Sequence, residues 1–269
     1  MPLPLILGVG AAIAGTVGVG SNIVGTAKII ESLDTMKSAE SRHKKNIAKF
    51  ENQRNITSEN IDSLCKKELQ ILESLEVFAN VFEKIQGRPQ FKAYSKNGVN
   101  IPEYNAEKLI KRVSIEEFLD LNARAIIGGI FGFNLLASSF SNKADEAWEQ
   151  MKKAERKINK ICSYMKDLND TSLRFDMALS SVNKAYINHL NYLTSIVETN
   201  KKTNWNDFTN KEKLLTENTV LLVNLLYNMC KVELVLVSKN KNGQNKVNTE
   251  KVNESIKNAE AFLIERGIN

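Results

Sequence analysis

Two long parts of the chain carry apolar residues at alternating steps of four and three, which is typical of a helix with one narrow apolar seam. In the first part, residues 55–58 favour a turn and an N-cap, so we expect two helices separated there. We expect the second helix to end at Gly87. The seam positions before the turn are Ile29, Leu33, Met36, Glu40, His43, Ile47 and Phe50, and those after it are Ile61, Leu64, Glu68, Ile71, Leu75, Phe78, Phe82 and Ile85.

The second seam follows residue 143 and keeps its register for about 50 residues. Either one very long helix or two antiparallel helices fit this pattern, and the Asn-Asp-Thr-Ser sequence at 169–172 favours a break. The apolar seam positions are Ala147, Met151, Ala154, Ile158, Ile161, Met165, Leu168, Phe175, Leu179, Val182, Tyr186, Leu193 and Ile196, with Ser172 and His189 as polar members.

A third predicted helix is apolar on nearly every face. Thr209 and Glu212 have the spacing of a capping box at its start, and its apolar residues run from Leu214 to Val237. This composition predicts the central buried helix of a bundle, in which Asn224 and Asn228 would need hydrogen-bond partners. In the loop before it, Trp205 and Phe208 are expected to cover one end of the bundle.

Three shorter stretches complete the pattern. Asn97-Gly98 lies between two short alternating runs and predicts a small β-hairpin near residues 90–104. Residues 239–248 are polar and read as a loop. Residues 249–266 predict an amphipathic helix that ends at Gly267, with Ile256, Ala259, Phe262 and Leu263 facing inward.

The predicted fold is therefore all-α. We expect an elongated bundle of about five long helices with coiled-coil-like packing, together with the small hairpin. The predicted organisation is a Gly-rich apolar segment at 1–27 and a helical bundle at 28–269, which contains a second apolar segment at 125–142.

The first apolar segment, residues 3–27, contains no charged side chain. As a helix it would be roughly 37 Å long, more than the ~30 Å hydrocarbon core of a bilayer. Its glycines make it a poor helix in water, but they suit close helix packing or a lipid environment. The basic residues that follow, from Lys28 to Lys45, would lie on the cytoplasmic side of a membrane.

The second segment, residues 125–142, is also uncharged, but its length of roughly 27 Å is marginal for a span. A helix with a capping box at Ser114 is expected to lead into it. The residues predicted to contact a membrane are Leu5, Ile6, Gly10, Ile13, Gly15, Gly18, Ile23, Ile126, Ile127, Ile130, Phe131, Phe133, Leu135 and Leu136.

The sequence holds no pattern that predicts an enzyme. It lacks a phosphate-binding loop, HExxH and GxSxG, so neither a cofactor nor a metal site is predicted. The net charge is +6, but acidic residues are interleaved with the basic ones along the chain. This pattern disfavours nucleic acid binding. Cys65, Cys162 and Cys230 are expected to be buried thiols in a reducing compartment. No Lys or Arg precedes the first apolar segment, which disfavours a secretory signal.

Residues 1–15, 142–162 and 204–237 resemble a family of uncharacterised bacterial Gly-rich helical-bundle proteins, some of which carry the automatic name "chemotaxis protein". The relatives have a longer Gly/Ala-rich region where this chain has only residues 125–142. In layout alone, the chain is also similar to α-helical pore-forming toxins of the haemolysin BL and cytolysin A type, which hold an apolar segment between long helices.

These observations predict a non-enzymatic, membrane-associating helical bundle of bacterial type, membrane-inserting or pore-forming through its Gly-rich segments. Membrane lipid and self-association are the expected contacts, and the expected location is the membrane or the cytoplasm. The alternative is a soluble interaction or regulatory module that buries the apolar segments and binds a protein partner through its seams.

Overall fold

The computed structural model describes residues 23–96, 99–104, 144–236 and 245–268. Within these ranges the chain is predominantly helical, with four α-helices and two pairs of short antiparallel strands. Helix α1 is Ile23–Phe82, α2 is Ala144–Thr194, α3 is Asn210–Met229 and α4 is Thr249–Arg266. The predicted mainly helical fold is confirmed.

Helix α1 is continuous over 60 residues, so the predicted turn at residues 55–58 is wrong. The seam explains this, because Arg54 and Thr57 keep the steps of four and three that connect Phe50 to Ile61. Thr57 is fully buried, and its hydroxyl donates a hydrogen bond to the backbone oxygen of Met165 at 3.3 Å. A polar side chain that finds such a partner does not need to end the helix.

Helix α2 is likewise continuous over 51 residues, and the predicted break at residues 169–172 is wrong. Ser172 is buried at a seam position, where its hydroxyl donates to the backbone oxygen of Asn169 at 2.8 Å within the same helix. The burial predicted for the apolar seam of α2 is confirmed from Met151 to Leu193, while His189 is half-buried.

The chain divides into two compact units. Among the described residues, the first unit contains 23–54 and 144–163. Its α1 and α2 segments run parallel, because a residue farther along α1 contacts a residue farther along α2. Arg42 Nη2 lies 3.1 Å from Glu155 Oε2, and Lys49 Nζ donates to Asn159 Oδ1 at 3.1 Å. Ala39 and Met151 are the most deeply buried side chains described in this unit.

The second unit contains the remaining described residues. Its segments of α1 and α2 are also parallel, as contacts from Asn60 to Asn169 and from Lys67 to Asp176 show. The Tyr186 hydroxyl continues this series by donating to the backbone oxygen of Ser74 at 2.8 Å. A π-helical turn, Ser195–Thr199, ends α2, and a 3-10 turn, Trp205–Asp207, precedes α3.

Helix α3 begins with the predicted capping box, since Thr209 Oγ1 accepts from the Glu212 amide and Glu212 Oε2 accepts from the Thr209 amide. The helix is largely buried, but it ends at Met229 and does not extend to Val237 as predicted. Leu214 is half exposed. Both asparagines have hydrogen-bond partners, as expected. The Asn224 side chain donates to the backbone oxygen of Pro102, and the Asn228 side chain donates to the backbone oxygen of Asn224.

The predicted hairpin is confirmed. Strand β1, Tyr94–Lys96, pairs with β2, Val99–Ile101, in an antiparallel register that places Tyr94 opposite Ile101. The Asn258 side chain of α4 bonds to both backbone groups of Asn100, which holds β2 against that helix. A second hairpin was not predicted: β3, Val235–Leu236, pairs with β4, Lys246–Val247.

Helix α4 has the predicted bounds, and Gly267 adopts a left-handed conformation at its end, with φ of 59°. Ala259 and Phe262 are buried as predicted. Ile256 and Leu263 are half-buried, and Val252 adds a buried position that the sequence pattern did not single out.

Trp205 and Phe208 pack near the segment that follows α1, and their predicted role at one end of the bundle stays a prediction. The Trp205 amide donates to the backbone oxygen of Gln86 at 2.9 Å, and its ring lies 6.0 Å from that of Phe91. Phe208 is buried beneath it, with ring centroids 5.4 Å apart.

Candidate functional site

The residues predicted to contact a membrane lie outside the described part of the chain, with one exception. Ile23 is the first residue of α1, and only its backbone is described. The others are Leu5, Ile6, Gly10, Ile13, Gly15, Gly18, Ile126, Ile127, Ile130, Phe131, Phe133, Leu135 and Leu136. The capping box at Ser114 and the Asn97-Gly98 turn also lie outside it.

In the ranges that the structure describes, no helix is long and apolar enough to cross a membrane. Within the same ranges, no group of three or more His, Cys, Asp or Glu side chains is placed to hold a metal ion. The feature that bears on the predicted apolar segments is therefore the helix pair to which they are joined.

In the first unit, the parallel pairing of α1 and α2 brings their N-terminal ends to the same end of the pair. Arg42 contacts Glu155, 113 residues later, and Lys49 contacts Asn159, 110 residues later. By the same offset, Ala144 at the start of α2 is level with residues 31–34 of α1. The two uncharged segments end at residues 27 and 142, so each leads into one of these neighbouring helices.

Charged and aromatic side chains follow on both helices. Arg42 is paired with Glu155 and lies over the Trp148 ring, 5.8 Å from its centroid. Lys44 pairs with Glu40 at 2.8 Å, and Lys152 pairs with Glu149 at 3.0 Å. Exposed ion pairs of this kind contribute little to stability.

In the second unit, one acidic side chain occupies a buried seam position. Glu68 is 3% exposed on α1, between the buried Leu64 and Ile71. Burial raises the pKa of its carboxyl to about 8, and the negative charge of Asp176 on α2 contributes to the same shift. The sequence pattern marked Glu68 only as a polar member of the seam, and a lone acid among apolar seam residues is the signal that identifies it.

The thiols near Glu68 are poor nucleophiles. Cys65 and Cys230 are free and buried, as predicted for all three cysteines. Burial raises the pKa of Cys65 to about 12, and it also raises the pKa of Cys230 well above its ordinary value; a negative charge on Glu68 adds to both shifts. Burial therefore favours the protonated form of both thiols, which is less nucleophilic than the thiolate.

The two histidines, His43 and His189, lie on the α1 and α2 helices at half-buried positions. His189 Nδ1 lies 2.9 Å from the backbone oxygen of Ala185, one turn earlier in α2. His43 is half-buried on the α1 seam, and burial lowers the pKa of its imidazole. Neither arrangement points to acid–base catalysis.

No protein-family model, no curated protein and no solved structure matches this chain in comparisons with known proteins.

Proposed function

We propose that this protein is a non-enzymatic, membrane-associating helical bundle whose two uncharged segments contact lipid together. The observation that supports the proposal is the parallel pairing of α1 and α2 in the first unit. Segments that are about 100 residues apart in sequence lead into neighbouring helix ends, so the apolar surface of both can act at one place.

Insertion of the two segments as a pair compensates for a weakness that each has as a single membrane-spanning helix. Residues 125–142 are too short for a comfortable single span, whereas residues 3–27 are long enough but rich in glycine. Small residues at fourfold spacing, Gly10, Ala14 and Gly18, allow a second helix to approach closely in lipid. Insertion as a helical pair, and pore formation by several copies, is the mechanism that we propose for this region.

We further propose that α1 and α2 pack as a coiled coil within each unit. The support is the repeated spacing of four and three, which is kept by the buried residues of α2 from Met151 to Leu193. In this proposal the helix pair is the scaffold that carries the apolar segments, and a packed form is in equilibrium with an inserted form.

Liposome flotation of the full-length protein tests the proposal. Vesicles of phosphatidylcholine and phosphatidylglycerol, with pure phosphatidylcholine in parallel, would be mixed with wild type, Ile13→Asp, Ile130→Asp and Met177→Asp. Met177 is exposed on α2 in the second unit, so its substitution is the matched control. Helical content by circular dichroism verifies that each variant is folded.

We expect wild type and Met177→Asp to float. An acidic side chain in the hydrocarbon core costs about 3 kcal/mol, so each segment variant should partition roughly 100-fold less well. Dye release from the same vesicles tests pore formation and should be lost with flotation. If wild type stays in the lower fraction with both vesicle types, the membrane proposal is wrong, and a monomer whose first 27 residues resist hydrogen exchange would favour the soluble interaction module.

A further inference from the structure

The segment after α1 and the loop between α2 and α3 meet on one surface of the second unit, which residues 83–92 and 198–213 form. Two backbone hydrogen bonds join the segments. The Gln86 amide donates to the Thr203 oxygen at 2.7 Å, and the Trp205 amide donates to the Gln86 oxygen at 2.9 Å. We call these residues the basic-aromatic surface. Charges from both segments act at the same place.

Positive charge is concentrated on the basic-aromatic surface. Its 26 residues have a net charge of +3, half of the +6 of the whole chain. The basic residues are Lys84, Arg88, Lys92, Lys201, Lys202, Lys211 and Lys213, and the acidic residues are Glu83, Glu198, Asp207 and Glu212. An excess of this kind attracts anionic partners.

Two of the four carboxylates are neutralised within the surface. Glu198 pairs with Lys84, and Lys202 Nζ lies 2.8 Å from Glu212 Oε1. Three exposed ammonium groups form no ion pair within 4 Å in the ranges that the structure describes, and they belong to Lys92, Lys201 and Lys211. Their charges are available to an external partner.

The backbone of Lys201 is unusual for a lysine. Its φ of 57° lies in the left-handed region, and among the described residues it is the one non-glycine with a positive φ. Glycine and asparagine adopt this conformation more readily than lysine does. The loop thus keeps a charged side chain where the backbone favours a different residue, which points to a use for that charge.

Trp205 supplies an aromatic ring among these cations. The half-buried ring packs against Phe91 and Phe208, with centroids 6.0 and 5.4 Å away, and Lys213 Nζ lies 5.8 Å from its centroid. No described residue accepts a hydrogen bond from its indole N–H, which is also not a buried group. An indole with a packed body and an accessible N–H is typical of membrane–water interfaces.

We propose that the basic-aromatic surface binds a layer of anionic lipid headgroups, as a membrane contact that does not depend on the uncharged segments. Long ammonium side chains match a diffuse negative surface, which requires no fixed geometry. A peptide that adds a strand would need free backbone groups, yet both backbone groups of Gln86 are bonded within the surface. The Trp205 N–H can donate to phosphate or ester oxygens of the same lipids.

Tryptophan fluorescence of the full-length protein tests the proposal. Trp148→Phe leaves Trp205 as the one indole of the chain. Ile13→Asp and Ile130→Asp in the same chain remove the lipid contact proposed for the uncharged segments. This background protein would be titrated with vesicles of phosphatidylcholine and phosphatidylglycerol and, separately, with vesicles of pure phosphatidylcholine.

Two triple variants that remove the same charge are compared in this background. The first changes the surface and consists of Lys92→Gln, Lys201→Asn and Lys211→Gln. The second is the matched control and changes three exposed lysines elsewhere in the second unit, Lys66→Gln, Lys184→Gln and Lys257→Gln. Asn at position 201 suits the left-handed backbone, and circular dichroism with urea denaturation verifies that each variant is folded.

We expect the background emission to move to shorter wavelength with the anionic vesicles alone, and this shift should vanish in 1 M NaCl, where screening acts within about 3 Å. Each lysine near an anionic membrane is worth about fivefold in affinity, so the first triple variant should bind roughly 100-fold more weakly. The control should lose less than about fivefold.

Absence of the shift with anionic vesicles would overturn the proposal, as it would for a surface that binds an acidic protein instead. An equal loss in the two triple variants would also overturn it, because net charge alone would then explain binding. Since the background protein lacks the contact of the uncharged segments, these results stand apart from the flotation of wild type.

Discussion

The side-chain amide nitrogen of Asn60 donates to the side-chain oxygen of Asn169 at 2.5 Å. This contact joins α1 and α2 beside their apolar seams and fixes which turn of one helix lies opposite which turn of the other. Apolar side chains tolerate a slip by one heptad, whereas a polar pair loses its bond if the helices slip. The pair therefore specifies the register of the parallel helices in the second unit.

Removal of one member should leave the other without its partner. We expect Asn169→Ala to lower the free energy of unfolding by about 1–3 kcal/mol, because Asn169 is buried. A double-mutant cycle with Asn60→Ala, measured by urea denaturation, should give a coupling energy of at least about 0.5 kcal/mol. Additive effects of the two substitutions would contradict a direct interaction, and Asn55→Ala on the exposed side of α1 is the control.

Two tyrosines of α2 provide a matched pair. Tyr186 is fully buried and its hydroxyl donates to the Ser74 backbone oxygen, whereas Tyr192 is 67% exposed. Tyr186→Phe should cost about 0.5–1.5 kcal/mol in urea denaturation, the usual net value of one hydrogen bond. Tyr192→Phe should change stability by less than about 0.5 kcal/mol. Equal effects would show that the hydroxyl bond to Ser74 does not stabilise the fold.

The capping box of α3 should be sensitive to loss of one oxygen. Thr209→Ala removes the acceptor of the Glu212 amide, and we expect a loss of about 1 kcal/mol in thermal or urea unfolding. Thr209→Ser retains the hydroxyl and should restore most of the stability. A Ser variant as unstable as the Ala variant would assign the effect to the lost methyl group.

Glu212 should make the stability of the protein depend on pH in the acid range. Its pKa is held below the ordinary value, first by the hydrogen bond from the Lys202 ammonium at 2.8 Å and then by the Thr209 amide. The folded state thus favours the carboxylate, and this stabilisation is present above about pH 4.5 and is lost as the pH falls. Glu212→Gln should be less stable than wild type at pH 7, and the difference should shrink toward pH 3. A constant difference across this range would contradict the assignment, and the exposed Glu76→Gln is the control.

Gly267 has a backbone conformation that other residues resist. Its φ of 59° lies in the left-handed region, while a Cβ would meet nothing within 4 Å. Gly267→Ala should therefore cost about 1–2 kcal/mol through backbone strain alone. Gly267→Asn should cost less, since Asn tolerates this conformation. Calorimetric unfolding of the three proteins checks the order, and equal stability of the Ala variant and wild type would contradict it.

The sequence pattern predicted the helices, their buried faces and the local signals of Thr209 and Gly267, because those depend on neighbouring residues. It extended α3 beyond its end at Met229, where no such signal exists, and it predicted two breaks that the structure does not have. Residues 55–58 and 169–172 look like turns, yet their polar side chains find partners inside the packed structure, as Thr57 does at Met165. The sequence pattern also does not predict the direction of the α1–α2 pairing, because an apolar seam fits a parallel and an antiparallel neighbour equally well.

The second hairpin was missed for a related reason. The apolar run of α3 continues past Met229 to Val235 and Leu236 without Gly or Pro, so composition extends the helix. The chain instead turns at Cys230, and the Asn248 side chain donates to the backbone oxygen of Glu233 at 2.8 Å. That bond spans 15 residues, which a pattern of neighbouring positions cannot reveal.

The parallel pairing has a consequence for synthesis on the ribosome. The partner of Asn60 is made 109 residues later. At about 5–20 residues per second, α1 waits roughly 5 to 20 s with its apolar seam exposed to water. The charged residues that separate the seam positions of α1 therefore serve the nascent chain as well, since they keep an unpartnered helix in solution until α2 has emerged.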